Sequence, residues 1–361
     1  MKKKILYTIP NFDTAGSGKV VYDLLQNINK DEFEVHLLIG HDRGLYFKDY
    51  ISKLPINIHV KEFKFDYNSP FQFFQSVLKF IQFINKNKIN LIHSWDWSSN
   101  IGELLSAKLA GVKYVFTKKA MSWGSKSWIY KSKYSDAIIR LNDDMQIDLF
   151  DPVGVTSIKI PIGLDSDYYS INDVLENPYP SSPYILTVAN LVPIKGIEVL
   201  VESFKLVKSD FKNLKLLIVG NHNSSYGQKL INDNNEDKSI VFIDKVMDVR
   251  PYLQFSEIFV IPTNSVWEGQ PMAAVEAMSM SNVVLGSDIS GISEVLSSFP
   301  EFLFTPGDSK ELYSKINEFL KKPNKEREDY RKGMREEVLK RFERKDFIQS
   351  HQNLYKEILY K

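Results

Sequence analysis

Residues 262–278 read Pro262-Thr263-Asn264-Ser265-Val266-Trp267-Glu268-Gly269-Gln270-Pro271-Met272-Ala273-Ala274-Val275-Glu276-Ala277-Met278. An apolar strand ends just before them near Ile261, a polar loop follows, and Pro271 stands where the first turn of a helix tolerates it. The amides of Gly269, Gln270 and Met272, around Pro271 which has no N–H, therefore open a helix without intrahelical partners, which is a cradle for a diphosphate. Glu276 lies inside that helix among Ala274, Val275, Ala277 and Met278, where a carboxylate is costly unless it is exposed or hydrogen-bonded. A ribose diol is such a partner; a solvent-facing glutamate is the alternative.

The same strand, loop and helix rhythm extends in both directions. Short β-branched and aromatic runs occupy 5–9, 35–39, 56–60, 91–95, 114–117, 137–141 and 158–162, then 184–189, 214–219, 240–243, 258–261, 283–285 and 302–304. Longer stretches of helical spacing separate them, so the chain reads as βα units around buried parallel sheets. Residues 166–183, rich in Asp, Asn, Ser, Tyr and Pro, carry turn chemistry and mark a linker. The expected organisation is a first domain over 1–165, the linker, a second domain over 184–345 and a last helix over 346–361.

Composition bounds the function. The chain has 361 residues and a net charge of +1, too balanced for a bulk polyelectrolyte surface, which argues against nucleic acid as a partner. It contains no cysteine and only 6 histidines, so the chemistry falls to carboxylates, amines, hydroxyls and backbone groups, with no structural metal expected. Met1-Lys2-Lys3-Lys4 precedes an apolar run too short for a signal peptide, and no run reaches the length of a membrane span. The expected location is the cytoplasm, with peripheral attachment at the inner membrane face left open.

Charge is unevenly placed. The first 165 residues carry +5 and the remainder −4. Over 108–140, Lys108, Lys113, Lys118, Lys119, Lys126, Lys131, Lys133 and Arg140 face the single acid Asp136, with Trp123, Trp128, Tyr130 and Tyr134 interleaved. Such a stretch suits an anionic or amphiphilic partner, a membrane surface included; the alternative is a solvated helix face beside core aromatics. The first βα turn, Asn11-Phe12-Asp13-Thr14-Ala15-Gly16-Ser17-Gly18-Lys19, matches neither a P-loop nor a dinucleotide fingerprint. What remains are small residues at a helix start, suited to an anion or to the close approach of a sugar, or simply a tight turn.

Glu268 and Glu276, in an E-G-x-P-x4-E-A-M setting, resemble the signature of family 4 retaining glycosyltransferases of the GT-B fold. The resemblance continues through Leu186-Thr187-Val188-Ala189-Asn190-Leu191-Val192-Pro193-Ile194-Lys195-Gly196 and Leu217-Ile218-Val219-Gly220. It extends to 286–295, with Gly291, and to Thr305-Pro306-Gly307-Asp308; Ala15-Gly16, Ile92-His93-Ser94 and 160–165 are fainter echoes. The resemblance implies two Rossmann-like doubly wound α/β domains facing a cleft, with the last helix packing back on the first domain. It implies that Glu276 holds the donor ribose, Lys195 pairs with the diphosphate, the amides of 269–272 cradle it, and Glu268 touches the donor sugar. Gly16, Asn190, Gly220 and Lys245 complete the implied donor set, and His93, Asp96, Lys118 and Lys119 the acceptor set. The implied catalytic residues are Glu268, Lys195 and Lys119. Two departures matter: Asn190 stands where the family commonly has Arg, and Lys118-Lys119 where it has His, so a bidentate phosphate clamp is lost and a cation gained.

The implied reaction transfers a sugar from a nucleotide diphosphate donor, expected to be a uridine diphosphate sugar, to a saccharide or lipid-linked acceptor with retention of configuration. No cofactor is expected, because the nucleotide sugar is a substrate. Asp165-Ser166-Asp167 spells the D-x-D of metal-dependent glycosyltransferases of the other common fold but falls at the linker, so no metal is assigned to it. The alternatives are a sugar-nucleotide epimerase or phosphorylase of the same architecture, and a weakly catalytic binding subunit of a glycosylation complex.

Overall fold

Among the described residues the thirteen apolar runs become thirteen strands, all parallel; the central ones are buried on both faces, where a near-continuous hydrophobic strand is stable between helical layers, while the edge strands at 57–60 and 158–159 are partly exposed. A computed structural model describes residues 2–13, 15–171, 175–265 and 268–360, the side chains of Ala15 and Leu45 excepted. Thr14 of the first turn, Val266 and Trp267 of the quoted loop, Asn172, Asp173 and Val174 of the linker, and the terminal Met1 and Lys361 lie outside the described residues. The chain divides into two compact units: unit 1 runs to Gly163 and resumes at Arg344, and unit 2 is Leu164–Glu343.

Unit 1 contains β1 (Lys3–Ile9), β2 (Phe33–Ile39), β3 (Asn57–Val60), β4 (Leu91–Ser94), β5 (Lys113–Thr117), β6 (Ala137–Arg140) and β7 (Ile158–Lys159). Their order is β3-β2-β1-β4-β5-β6-β7, so the direction of winding reverses between β1 and β4, in the register Ile5 to Leu91 and Thr8 to Ser94. Unit 2 contains β8 (Tyr184–Val188), β9 (Lys215–Val219), β10 (Ile240–Ile243), β11 (Ile258–Ile261), β12 (Val284–Ser287) and β13 (Leu303–Phe304), ordered β10-β9-β8-β11-β12-β13. Its reversal lies between β8 and β11. Open α/β sheets take ligands beyond the carboxyl ends of the strands flanking such a reversal.

The helix Arg344–Tyr360 belongs to unit 1. Phe347, Ile348, His351, Leu354 and Tyr355 are its buried positions, and their helical spacing gives one apolar face. Tyr7 Oη donates to Tyr355 Oη at 3.1 Å, and Tyr355 Oη lies 2.6 Å from His93 Nδ1. Lys356 pairs with Glu32 at 2.6 Å, and the Asn29 amide donates to Gln352 Oε1 at 2.6 Å, fixing the rim. Within unit 2 the first and last residues meet: the Leu164 amide donates to Phe342 O at 2.7 Å.

Candidate functional site

In unit 2 the loops after β8 and β11 are locked together by two backbone contacts. Gly196 has φ +59°, and a Cβ there would lie 2.1 Å from the Pro262 carbonyl oxygen, so only glycine permits the approach. Beside it the Asn264 amide donates to Ile194 O at 3.0 Å. Lys195 ends the 3-10 turn Pro193–Lys195 and is half-buried; its ammonium donates to Glu268 Oε2 at 2.5 Å. Gly291 supports the other side, since a Cβ there would lie 2.4 Å from Glu268 O and 2.7 Å from Gly269 O. Lys195 and Glu268, 73 positions apart, are thus neighbours at the winding reversal.

The helix Met272–Ser279 starts directly after Pro271, with Gly269, Gln270 and Pro271 buried beneath its first turn. Glu276 is half-buried, and Tyr169 Oη donates to its Oε1 at 2.7 Å. Tyr169 is itself anchored: its carbonyl accepts from Ser279 Oγ at 2.8 Å and from Arg335 Nη1 at 3.0 Å. Burial raises the phenol's pKa, with the Glu276 carboxylate reinforcing the shift, so Tyr169 remains a donor throughout the neutral range. Of the other expected donor residues, Asn190 and Lys245 are exposed on the loops after β8 and β10. Gly220 is buried with φ +151°, and a Cβ would lie 1.9 Å from Ala189 O, so it serves close strand packing. Gly16 sits at the exposed start of the helix Ala15–Asn27, where a Cβ would meet nothing within 4 Å.

In unit 1 the residues around the ends of β4 and β5 form a cluster of amines, carboxylates and rings. Lys119 donates to Trp95 O at 2.6 Å and stands 5.5 Å over the Trp97 ring. Lys118, only 2% exposed, donates to Ala120 O at 2.8 Å and Ser122 O at 2.5 Å and lies 4.8 Å over Trp128. Lys131, 1% exposed, donates to Ser98 O at 3.1 Å and lies 4.9 Å over the same Trp128 ring. Asp96, half-buried, accepts from the Ser98 amide at 3.0 Å. Glu103 Oε2 accepts from Thr8 Oγ1, Ser94 Oγ and Tyr114 Oη at 3.1, 2.7 and 3.2 Å. Burial raises the Glu103 pKa, and Lys131 counters it.

Two expectations change here. Of the basic and aromatic stretch over 108–140, Lys108, Lys113, Lys126, Tyr130, Lys133 and Tyr134 are exposed, but Lys118, Lys131 and Trp128 are buried and form no outward patch. Their charges are held by carbonyls, rings and acids instead of water. His93 is fully buried, with Nδ1 on Tyr355 Oη and Nε2 2.9 Å from Thr117 Oγ1. Burial pulls its pKa well down, so it is a neutral interior residue that no acceptor reaches. Sequence reading missed Tyr169 and Glu103. Glu103 carried a signal, being an acid at an apolar helix start, the argument applied to Glu276; Tyr169 carried none beyond its place in the linker.

Burial pushes the amines of Lys118 and Lys119 down to about 8, with Lys131 adding repulsion at both and Asp96 opposing it at Lys119. If the implied role of Lys119 in the reaction holds, turnover falls as pH rises through about 8, where Lys119 loses its charge, and Lys119→Met removes that alkaline limb. Stability moves the other way. The folded values lie below the ordinary 10.5, so between about 8 and 10.5 the unfolded chain binds more protons and stability rises with pH. An identical alkaline limb in Lys119→Met would remove this amine from the reaction.

Comparison with known proteins extends these observations. Residues 174–337 match the family described as Glycosyl transferases group 1, and residues 14–159 match Glycosyltransferase Family 4. The chain is 26% identical over 316 residues to the capsular polysaccharide biosynthesis glycosyltransferase CapH of Staphylococcus aureus, covering 83% of this chain and 86% of CapH. Among solved structures, a glycosyltransferase from Rickettsia africae ESF-5 superposes with a TM-score of 0.85 at 17% identity, covering 99% of each chain. Anabaena Alr3699/HepE, crystallised in complex with UDP and glucose, superposes with a TM-score of 0.81 at 16% identity, covering 98% of this chain and 99% of that one.

Proposed function

The chain belongs to the family 4 glycosyltransferases of the GT-B fold, and from that premise we propose that it is a retaining transferase in cell-surface polysaccharide synthesis. It moves a sugar from a uridine diphosphate donor to a saccharide or lipid-linked acceptor. The observation that carries this reading is the union of Lys195, Glu268 and the Glu276 helix beyond the carboxyl ends of β8 and β11. The capsular assignment of CapH and the UDP and glucose bound to Alr3699/HepE support the pathway class and the donor.

In this reading Glu276 accepts from a ribose hydroxyl, Lys195 meets the diphosphate, the amides at the start of Met272–Ser279 cradle it, and Glu268 orients the sugar. The bond from the anomeric carbon to the phosphate oxygen breaks. A bond to the acceptor hydroxyl forms on the same face, and the hydroxyl proton passes to the departing phosphate oxygen. The protein's share is charge stabilisation, supplied by an ammonium and oriented amides. In the free protein Lys195 is neutralised by Glu268, so binding exchanges one anionic partner for another. That scheme calls on no metal and no cofactor.

A panel of nucleotide sugars tests the proposal: free nucleoside diphosphate with a product of retained anomeric configuration is expected, and an isomerised donor or binding without turnover would overturn it. Calorimetry tests the ribose assignment. Glu276→Ala is expected to weaken nucleotide binding by about 1 to 3 kcal/mol, the cost of a charge-assisted hydrogen bond. Tyr169→Phe, which removes the hydroxyl orienting that carboxylate, should weaken it less and add little in the Glu276→Ala background. Unchanged affinity in a folded Glu276→Ala variant removes the ribose role.

A further inference from the structure

A buried parallel strand is apolar on both faces, and β2 departs from that rule at Glu34 and His36, which alternate onto the same face. His36 is 4% exposed, and its Nδ1 lies 3.0 Å from His59 Nε2 on the edge strand β3. The two rings are parallel within 6°. On its other side His36 Nε2 lies 3.0 Å from Glu34 Oε1, which also accepts from Lys4 Nζ of β1 at 2.9 Å and from Asn57 Nδ2 of β3 at 3.4 Å. The helix Pro70–Asn87 closes the row, with the Phe83 ring edge-on to His59 and their centroids 4.9 Å apart. Lys79 and Lys86 of that helix, and Lys61 and Glu62 beyond β3, are exposed, so Lys4 and Glu34 are the outside charges that act on the pair.

The hydrogen bonds decide where protons can go. Lys4 holds the Glu34 carboxyl below its ordinary range, so Glu34 is an acceptor and His36 Nε2 carries the hydrogen between them. His36 Nδ1 is then a lone pair, and the hydrogen between the rings belongs to His59 Nε2. A first proton, on His59 Nδ1, leaves that bond in place. A second, on His36 Nδ1, sets N–H against N–H between two cations whose nitrogens are 3.0 Å apart, and the rings must part. We propose that His36 and His59 form a proton-operated latch, which holds β3 and the helix Pro70–Asn87 on β2 at neutral pH and releases them on double protonation. Burial keeps both rings below the ordinary histidine value of 6.5, with Glu34 opposing it at His36 and the His36 charge adding to it at His59. The opened segment therefore binds more protons than the closed one below 6.5, and the latch weakens as pH falls. Tyr67 Oη accepts from the Ile101 amide at 2.8 Å and Asn100 Nδ2 donates to Phe65 O at 2.5 Å, so the segment between β3 and the helix is tied to the loop after β4 that carries Asp96. Opening by itself is independent of the proposed reaction; a reversible loss of acceptor use in acid, through that loop, rests on it.

Hydrogen–deuterium exchange of the full chain, corrected for the intrinsic effect of pH, is the test, with proton NMR of the histidine rings beside it. From about pH 7.5 to about pH 5.5 the amides of β3 and of the helix Pro70–Asn87 should open up to about tenfold more per pH unit for each proton taken up, reversibly, while those of β5 hold. His59→Gln, whose amide donates to His36 Nδ1 without acquiring charge, should keep the neutral-pH protection and lose the acid response. His36→Gln, which donates to Glu34 and accepts from His59, should do the same. Where a variant fails to fold, the wild-type titration decides: the signals of His36 and His59 should move in two coupled steps, both below the ordinary histidine value. Turnover should fall reversibly in acid in the wild type and less so in the variants; absent turnover at every pH speaks to the reaction and leaves the exchange result standing. Acid-insensitive exchange in the wild type, the same acid response in His59→Gln, or independent titration of the two rings at the ordinary value would overturn the proposal.

Discussion

Replacing Lys195 with Ala is expected to cut kcat by about 10²- to 10³-fold while the protein stays folded, the loss typical when one preorganised donor to developing transition-state charge is removed. The fold survives because the amine is 30% exposed and its partner Glu268 19%, and ion pairs of this kind contribute about 0 to 1 kcal/mol. The catalytic loss is larger because the position that commonly carries an Arg clamp in the family is Asn190 here, leaving Lys195 as the cation on the loop after β8. Glu268→Gln provides the contrast. It removes the charge that neutralises Lys195 in the free protein, so nucleoside diphosphate should bind as tightly as to wild type or tighter while turnover falls. A Lys195→Ala variant within threefold of wild-type kcat, about 0.7 kcal/mol of barrier, would dismiss the assigned role.

Gly196→Ala is expected to destabilise unit 2 by about 3 kcal/mol or more, adding left-handed backbone strain to a forced separation of packed loops. The added methyl would lie 2.1 Å from Pro262 O and 2.8 Å from Asn264 Cγ, so either the left-handed turn or the loop after β11 must move. Both contain the site, so activity should fall together with the urea midpoint. Gly16→Ala makes the opposite prediction for stability. Its methyl meets nothing within 4 Å and improves helix propensity, so stability should hold or rise by up to about 1 kcal/mol. If a donor sugar approaches that helix start, turnover nevertheless drops. Equal midpoints for Gly196→Ala and wild type would show that the loop contact is slack.

The central strands were legible because a fully buried parallel strand has a local signature: the run at 258–261 is apolar on both faces, buried throughout, and became β11. The start of the Met272–Ser279 helix was legible for a similarly local reason, since Pro271 cannot lie deeper inside it. The burial of Lys131 was not legible. Its sequence neighbours Tyr130 and Lys133 are exposed, and what holds it, Ser98 O and the rings of Trp128, Phe116 and Tyr114, comes mostly from other strands and loops. Tyr169 was hidden for the same reason, because its contact with Glu276 spans 107 positions. Spacing reveals which face a residue shares with its neighbours, but a lone polar contact between distant segments leaves no period behind.

The placement of Arg344–Tyr360 gives the protein the covalent plan of a host with a guest. Residues 164–343 are inserted into unit 1, and the backbone bond from Leu164 to Phe342 brings the two seams of the insert together. A cut at 163 therefore yields no separable first half: it strips Tyr355 from Tyr7 and His93 and uncovers the apolar bed of the last helix. The guest, by contrast, has adjoining ends. Exchange of the inserted unit between relatives is accordingly a two-junction graft, with both seams cut and the last helix left with its host.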